Sequence, residues 1–127
     1  MLVGNKNNTA VRNLYKSRSD KAINYALSEI KSADIAQFVQ HIYLYGSCAR
    51  NEQSYGSDVD LLLELSNSFD SVDKRKKSAM ISELRSRLSN HDNTLPEIEF
   101  KLVIGSQWKT DNTIFFANVR RDGIKLW

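Results

Sequence analysis

The chain has 127 residues, 41% of them hydrophobic and 26% charged, and carries a net charge of +3. That is the length of one domain, and its mildly basic balance argues against a dedicated nucleic-acid binder, which concentrates more positive charge on one face. A single cysteine, Cys48, excludes an internal disulfide and fits the reducing cytoplasm; no apolar run reaches the roughly 18 residues of a membrane span, and the polar first residues lack the apolar core of a secretion signal.

Val11, Leu14, Tyr15, Ala22, Ile23, Ala26, Leu27 and Ile30 recur at helical spacing. They predict a helix over about 9–31, interrupted at Ser17-Arg18-Ser19-Asp20, whose side chains can cap a second start. Ile35, Phe38 and Val39 continue with a further helical turn. His41-Ile42-Tyr43-Leu44-Tyr45 reads as a first strand. Gly46-Ser47 turns the chain into a short helix around Cys48 to Glu52. Asp58 to Leu65 is a second strand, with Val59, Leu61, Leu63 and Leu65 on a wholly apolar face. Asp58, Asp60, Leu62 and Glu64 share the other face, which is expected to be a site mouth or a solvent edge.

Ser71 to Asn90 is a predicted helix, with Met80, Ile81, Leu84 and Leu88 inward and Lys74-Arg75-Lys76-Lys77 as a solvated face. Pro96 precedes a third strand, Glu97 to Ile104, on which Glu97, Glu99 and Lys101 share a face. Asp111 or Asn112 caps a last helix that Gly123 stops, and Ile124 to Trp127 closes as a short edge strand. The expected class is α/β (α+β), a small mixed sheet with helices on one face. One domain is expected over 1–127, with an N-terminal helical segment over about 9–40 and the sheet-bearing core over about 41–127.

Ten residues separate Gly46-Ser47 from Asp58-Val59-Asp60, and the two groups have complementary chemistry. Gly46 lets backbone approach a phosphate closely, Ser47 adds a hydroxyl, and Arg50 adds positive charge one turn on. Asp58 and Asp60, two positions apart on a strand, project from one face and can hold a divalent metal. Two-metal chemistry generally wants another acid, and Glu97 and Glu99 both stand on the neighbouring strand. Glycine-serine alone is an ordinary turn, and Asp-x-Asp alone an ordinary exposed strand. Their combination at this spacing, between apolar strands, points to nucleotide chemistry. His41 and His91 have no metal-ligand spacing. Cys48 reads as a small buried residue before a reactive thiol, and Trp108 as core or rim.

This constellation resembles the signature of the DNA polymerase β-like nucleotidyltransferase superfamily, most closely its minimal nucleotidyltransferases. Ala49-Arg50 and Ser57 also fit, and Ile98-Glu99-Phe100-Lys101-Leu102 resembles the strand of the third acid, which selects Glu99 over Glu97. Two positions depart from the pattern: Asn51 stands where glycine is usual, and Glu99 where aspartate is commoner. Asparagine tolerates positive φ better than other non-glycine residues, so the turn is expected to persist.

The resemblance implies transfer of a nucleoside monophosphate, AMP from ATP or another nucleoside triphosphate, to a hydroxyl. Two Mg2+ ions (or Mn2+) would be held by Asp58, Asp60 and Glu99. Gly46, Ser47, Arg50 and Ser57 would hold the nucleotide. The acceptor implied is a tyrosine on a helical HEPN-type toxin (higher eukaryotes and prokaryotes nucleotide-binding) in a toxin–antitoxin pair. Two other readings share the fold: a small-molecule, antibiotic-type transferase, and a non-catalytic antitoxin that neutralises its partner by contact.

Overall fold

The computed structural model describes the backbone of residues 2–54 and 56–127, with side chains from residue 10 onward. Helix α1 (Leu2–Ser32) is followed by a 3-10 turn, Asp34–Phe38, and strand β1 (Val39–Tyr45). Next come α2 (Gly46–Ala49), β2 (Val59–Leu65), a 3-10 turn at Asn67–Ser71 and α3 (Lys74–Ser89). Strand β3 (Ile98–Ile104), a 3-10 turn at Gln107–Thr110, α4 (Ile114–Asp122) and β4 (Ile124–Lys125) complete the order.

The sheet runs β3-β2-β1-β4. β1 is antiparallel to β2 and β4, while β2 and β3 are parallel, so the sheet is mixed as expected. β2 is central and the most deeply buried strand, with Leu61, Leu62, Leu63 and Leu65 fully inaccessible. Ala22, Ile23, Ala26 and Ile30 of α1 and Met80, Leu84 and Leu88 of α3 pack on one sheet face against Val59, Leu61, Leu63 and Leu65. The parallel β2–β3 connection needs a crossover element, and α3 supplies it.

Several expectations are corrected. α1 is one continuous helix through Ser17–Asp20. The Ser19 hydroxyl donates back to the Tyr15 carbonyl at 2.9 Å and is buried, so it is spent on a back-bond within the helix instead of capping a new one. Lys16 and Asp20 add an i,i+4 ion pair on the exposed side at 3.1 Å. α3 begins at Lys74, where Asp73 caps the Arg75 N–H, because residues up to Ser71 form the preceding 3-10 turn. The N-cap of α4 is Thr113; Asp111 instead accepts the Thr113 N–H at 2.8 Å.

The second sheet face is not left bare below the acids. Leu62, Trp108 and Val119 form a smaller core with Tyr43, Tyr45, Val103, Phe115 and Phe116, roofed by the 3-10 turn after β3 and by α4. Glu64, expected at a site mouth or solvent edge, is only 3% exposed and accepts the Trp108 Nε1–H at 2.7 Å. Trp108→Phe removes that donor and leaves a buried carboxylate unpaired. A loss of about 2–3 kcal/mol is expected in urea unfolding; unchanged stability would mean that Glu64 finds another partner.

Gly123 follows α4, but its φ is −64°. It is required for another reason: a Cβ there would lie 2.4 Å from the Val119 carbonyl oxygen.

Candidate active site

The catalytic candidates sit where β1 ends and β2 and β3 begin. Register places Tyr45 beside Asp60 and Asp60 beside Glu99. These three positions therefore run across the sheet at about 4.8 Å per strand. Asp58 precedes β2 and is half-buried, its backbone carbonyl accepting the Cys48 thiol at 3.4 Å.

Gly46 has φ +75°, and a Cβ there would stand 2.5 Å from Asp60 Oδ2. The turn and the carboxylate are thus in contact, joining the two halves of the sequence signature. Asn51 closes α2 at φ 58°, so asparagine does take the left-handed conformation there. The Glu52 N–H donates to the Ser47 carbonyl at 2.9 Å and tightens the same loop. Ser57 Oγ accepts the Ser54 N–H at 2.9 Å, fixing the approach to Asp58. Arg50 is drawn elsewhere, to Glu52 at 3.0 Å and Asp122 at 3.6 Å.

Glu97 and Glu99 separate clearly. Glu97 accepts from His91 Nε2 at 3.3 Å, which directs it toward the α3–β3 loop. Glu99 is the acid in register with Asp60. Cys48 is buried, and burial pushes its thiol up, as befits a packing residue.

The Asp60 carboxyl is pushed up to about 6, first by burial, then by Glu99 and Asp58, with Lys101 opposing. Burial, Asp60 and Glu99 likewise push Tyr45 up to about 12, so its hydroxyl stays protonated. Burial contributes most to both shifts and the neighbouring carboxylates add to it, so a cation beside Asp60 would oppose them. The donor set is all carboxylate oxygen, the chemistry of Mg2+ and Mn2+, so the residues fit the metal that the sequence implies. Among the described residues no group of three or more His, Cys, Asp or Glu side chains is placed to hold a metal ion.

Two residues escaped the sequence reading as site members. Tyr45 stacks edge-on against Phe115, with centroids 5.4 Å apart. The Lys101 ammonium lies 4.4 Å from the Phe115 ring centre. Their signals were present: Tyr45 directly precedes Gly46, and Lys101 lies two residues past Glu99 on the same strand face.

Gly46→Ala combines a left-handed φ with a forced displacement of Asp60. A destabilisation of about 1–2 kcal/mol is expected from the backbone, with at least a tenfold loss of magnesium-dependent nucleotide affinity in calorimetry. Unchanged affinity would remove Gly46 from the site.

A model of the nucleotidyltransferase domain matches residues 22–117, a span that contains Gly46, Ser47, Asp58, Asp60 and Glu99. Among solved structures, a candidate nucleotidyltransferase from Sulfolobus solfataricus has a TM-score of 0.60 at 14% identity, covering 92% of this chain and 86% of that one. That likeness is one of fold. A toxin–antitoxin structure with AMP-PNP has a TM-score of 0.49 at 23% identity, covering 82% of this chain and 71% of that one. No curated protein matches the chain by sequence.

Proposed function

Because the chain belongs to the nucleotidyltransferase domain family, we propose that it transfers AMP from ATP to a hydroxyl and releases pyrophosphate. The observation that carries this reading is the placement of Asp60 between Glu99 in register and the Gly46 turn in contact. An acid pair for metal and the glycine turn meet at one carboxylate.

Asp58, Asp60 and Glu99 would hold Mg2+, which when bound offsets the charge of the triphosphate. Gly46 leaves room for the Asp60 carboxylate against the turn, and Ser47 would offer its hydroxyl to a phosphate. Ser57 keeps the loop that delivers Asp58. Arg50 would have to leave Asp122 to touch the nucleotide. Glu99 takes the proton of the attacking hydroxyl as its oxygen bonds the α-phosphorus. The bond from that phosphorus to the β-phosphate oxygen breaks, and pyrophosphate departs.

The acceptor we favour is a tyrosine on a HEPN-type toxin partner in the cytoplasm, supported by the likeness of the Gly46-Ser47 and Asp58-Val59-Asp60 run to minimal nucleotidyltransferases. Among the described residues no helix is long and apolar enough to cross a membrane, so nothing in these elements opposes that setting. The test is pyrophosphate release from ATP with MgCl2, alone and with the partner. Release that needs Asp58 and Asp60 supports the enzyme. ATP binding with no release to any acceptor would favour the non-catalytic antitoxin.

A further inference from the structure

β3 ends the sheet, and among the described residues no strand lies beyond it. The Val59 N–H donates to the Glu97 carbonyl at 2.8 Å, and the Gly105 N–H donates to the Leu65 carbonyl at 2.7 Å. Register between β2 and β3 runs unbroken from Val59↔Ile98 to Leu65↔Ile104. In a parallel ladder a residue turns its N–H and C=O toward the same neighbour. Odd-numbered positions of β3 therefore face β2, while Ile98, Phe100, Leu102 and Ile104 turn theirs to the open edge. That edge is seven residues long, about 20 Å of backbone hydrogen-bonding groups. Its site-facing side chains are Glu99 and Lys101, both exposed.

Open edges are usually blunted by charge, often lysine, against indiscriminate pairing. Lys101 does this, but it also makes the edge selective. A strand laid beside β3 puts one side chain next to Glu99 and another, two residues away, next to Lys101.

We propose that the β3 edge receives the acceptor as an added strand: an extended protein segment with a hydroxyl beside Glu99 and an acidic residue two positions away beside Lys101. The inference rests on the transferase reading and names the acceptor's form. Backbone pairing supplies affinity, and the two side chains supply selectivity. The added strand lies about two strand spacings, roughly 10 Å, from Asp60, so a long hydroxyl side chain reaches the site best, and tyrosine is favoured over serine or threonine. The transfer balances as above: the hydroxyl oxygen bonds the α-phosphorus, pyrophosphate leaves, and Glu99 takes the proton.

The test uses arrayed decapeptides with β-branched flanks, a central Tyr, Ser or Thr, and Glu or Lys two residues to either side. Each is incubated with the protein, MgCl2 and radiolabelled ATP. Tyrosine peptides with Glu should label at least tenfold more than those with Lys. N-methylation at alternate backbone positions should cut labelling at least tenfold, and at the intervening positions little. Ile104→Pro, which places a proline at an outward N–H with no ladder bond to lose, should cut peptide labelling while slow release of AMP to water continues. Release to water without peptide labelling, or labelling indifferent to N-methylation, overturns the edge proposal and leaves the transferase reading intact. If no pyrophosphate is released at all, the transferase reading fails too. Hydrogen exchange then reads the edge directly: the peptides should slow the Phe100 and Leu102 amides, and no slowing overturns it. A dimer in sizing that Ile104→Pro dissolves would assign the edge to a second copy instead.

Discussion

Asp60→Asn is expected to abolish magnesium-dependent nucleotide binding and, at neutral pH, to make the protein more stable. Burial, Glu99 and Asp58 raise the Asp60 carboxyl from 3.8 to about 6. An acid raised in the folded state is best tolerated protonated. Its contribution is therefore most favourable below about pH 4, is lost as pH rises toward 6, and is flat above. Two pH units at about 1.4 kcal/mol each set the ceiling. Solvent screening at a half-buried site reduces the cost to about 1–2 kcal/mol. Asparagine removes that cost, so its thermal midpoint should exceed wild type by roughly 3–8 °C at pH 7.5 and match it near pH 4. MgCl2 with ATP should raise the wild-type midpoint and leave the variant unmoved. A midpoint lowered by the substitution at pH 7.5 would make Asp60 a structural residue and defeat the metal assignment.

The sequence was most legible where local backbone chemistry decides the outcome. Gly46 and Asn51 adopt the positive φ that turn logic required of them. The alternation of β2 and β3 placed Asp60 and Glu99 on one face, and register then set them side by side. What period-two alternation cannot reveal is what returns to cover a face. The roof of Trp108, Phe115 and Val119 over Leu62 comes from segments about 45–57 residues later in the chain. Glu64 therefore looked solvent-facing although the Trp108 indole satisfies it inside a core. Ser19 misled for a related reason: its hydroxyl serves a helix cap or a back-bond to residue i−4 equally well, and only burial against α2 selects the second. Gly123 was expected to stop the last helix and does follow α4, where its need is room beside the Val119 carbonyl. Tyr45 was visible as a strand residue, whereas its place beside Asp60 depended on the antiparallel register of β1.

Glu99→Gln is expected to leave nucleotide bound and to stop transfer. Glu99 lies on β3, on the side of Asp60 opposite Tyr45 and the Gly46 turn. On the proposed reading, phosphate chemistry falls at the β1 end of the sheet and acceptor chemistry at β3. Asp58, Asp60 and the turn remain intact in the variant, so the affinity for ATP with MgCl2 should change less than about threefold. The proton of the attacking hydroxyl then loses the carboxylate proposed to receive it, and the rate should fall by roughly 10²–10⁴. Glu97→Gln serves as the contrast. Its side chain is 74% exposed and bonded to His91, and it has no place in register with Asp60. Transfer should change less than about threefold, because only a peripheral hydrogen bond of about 0.5–1.5 kcal/mol is altered. Calorimetry for ATP and a radiolabelled transfer assay on both variants separate the outcomes. Equal losses, or a greater loss from Glu97→Gln, would place the third acid at Glu97 and require the His91 contact to break on substrate binding. Loss of ATP affinity with Glu99→Gln would make Glu99 a nucleotide-side ligand and move the acceptor away from β3.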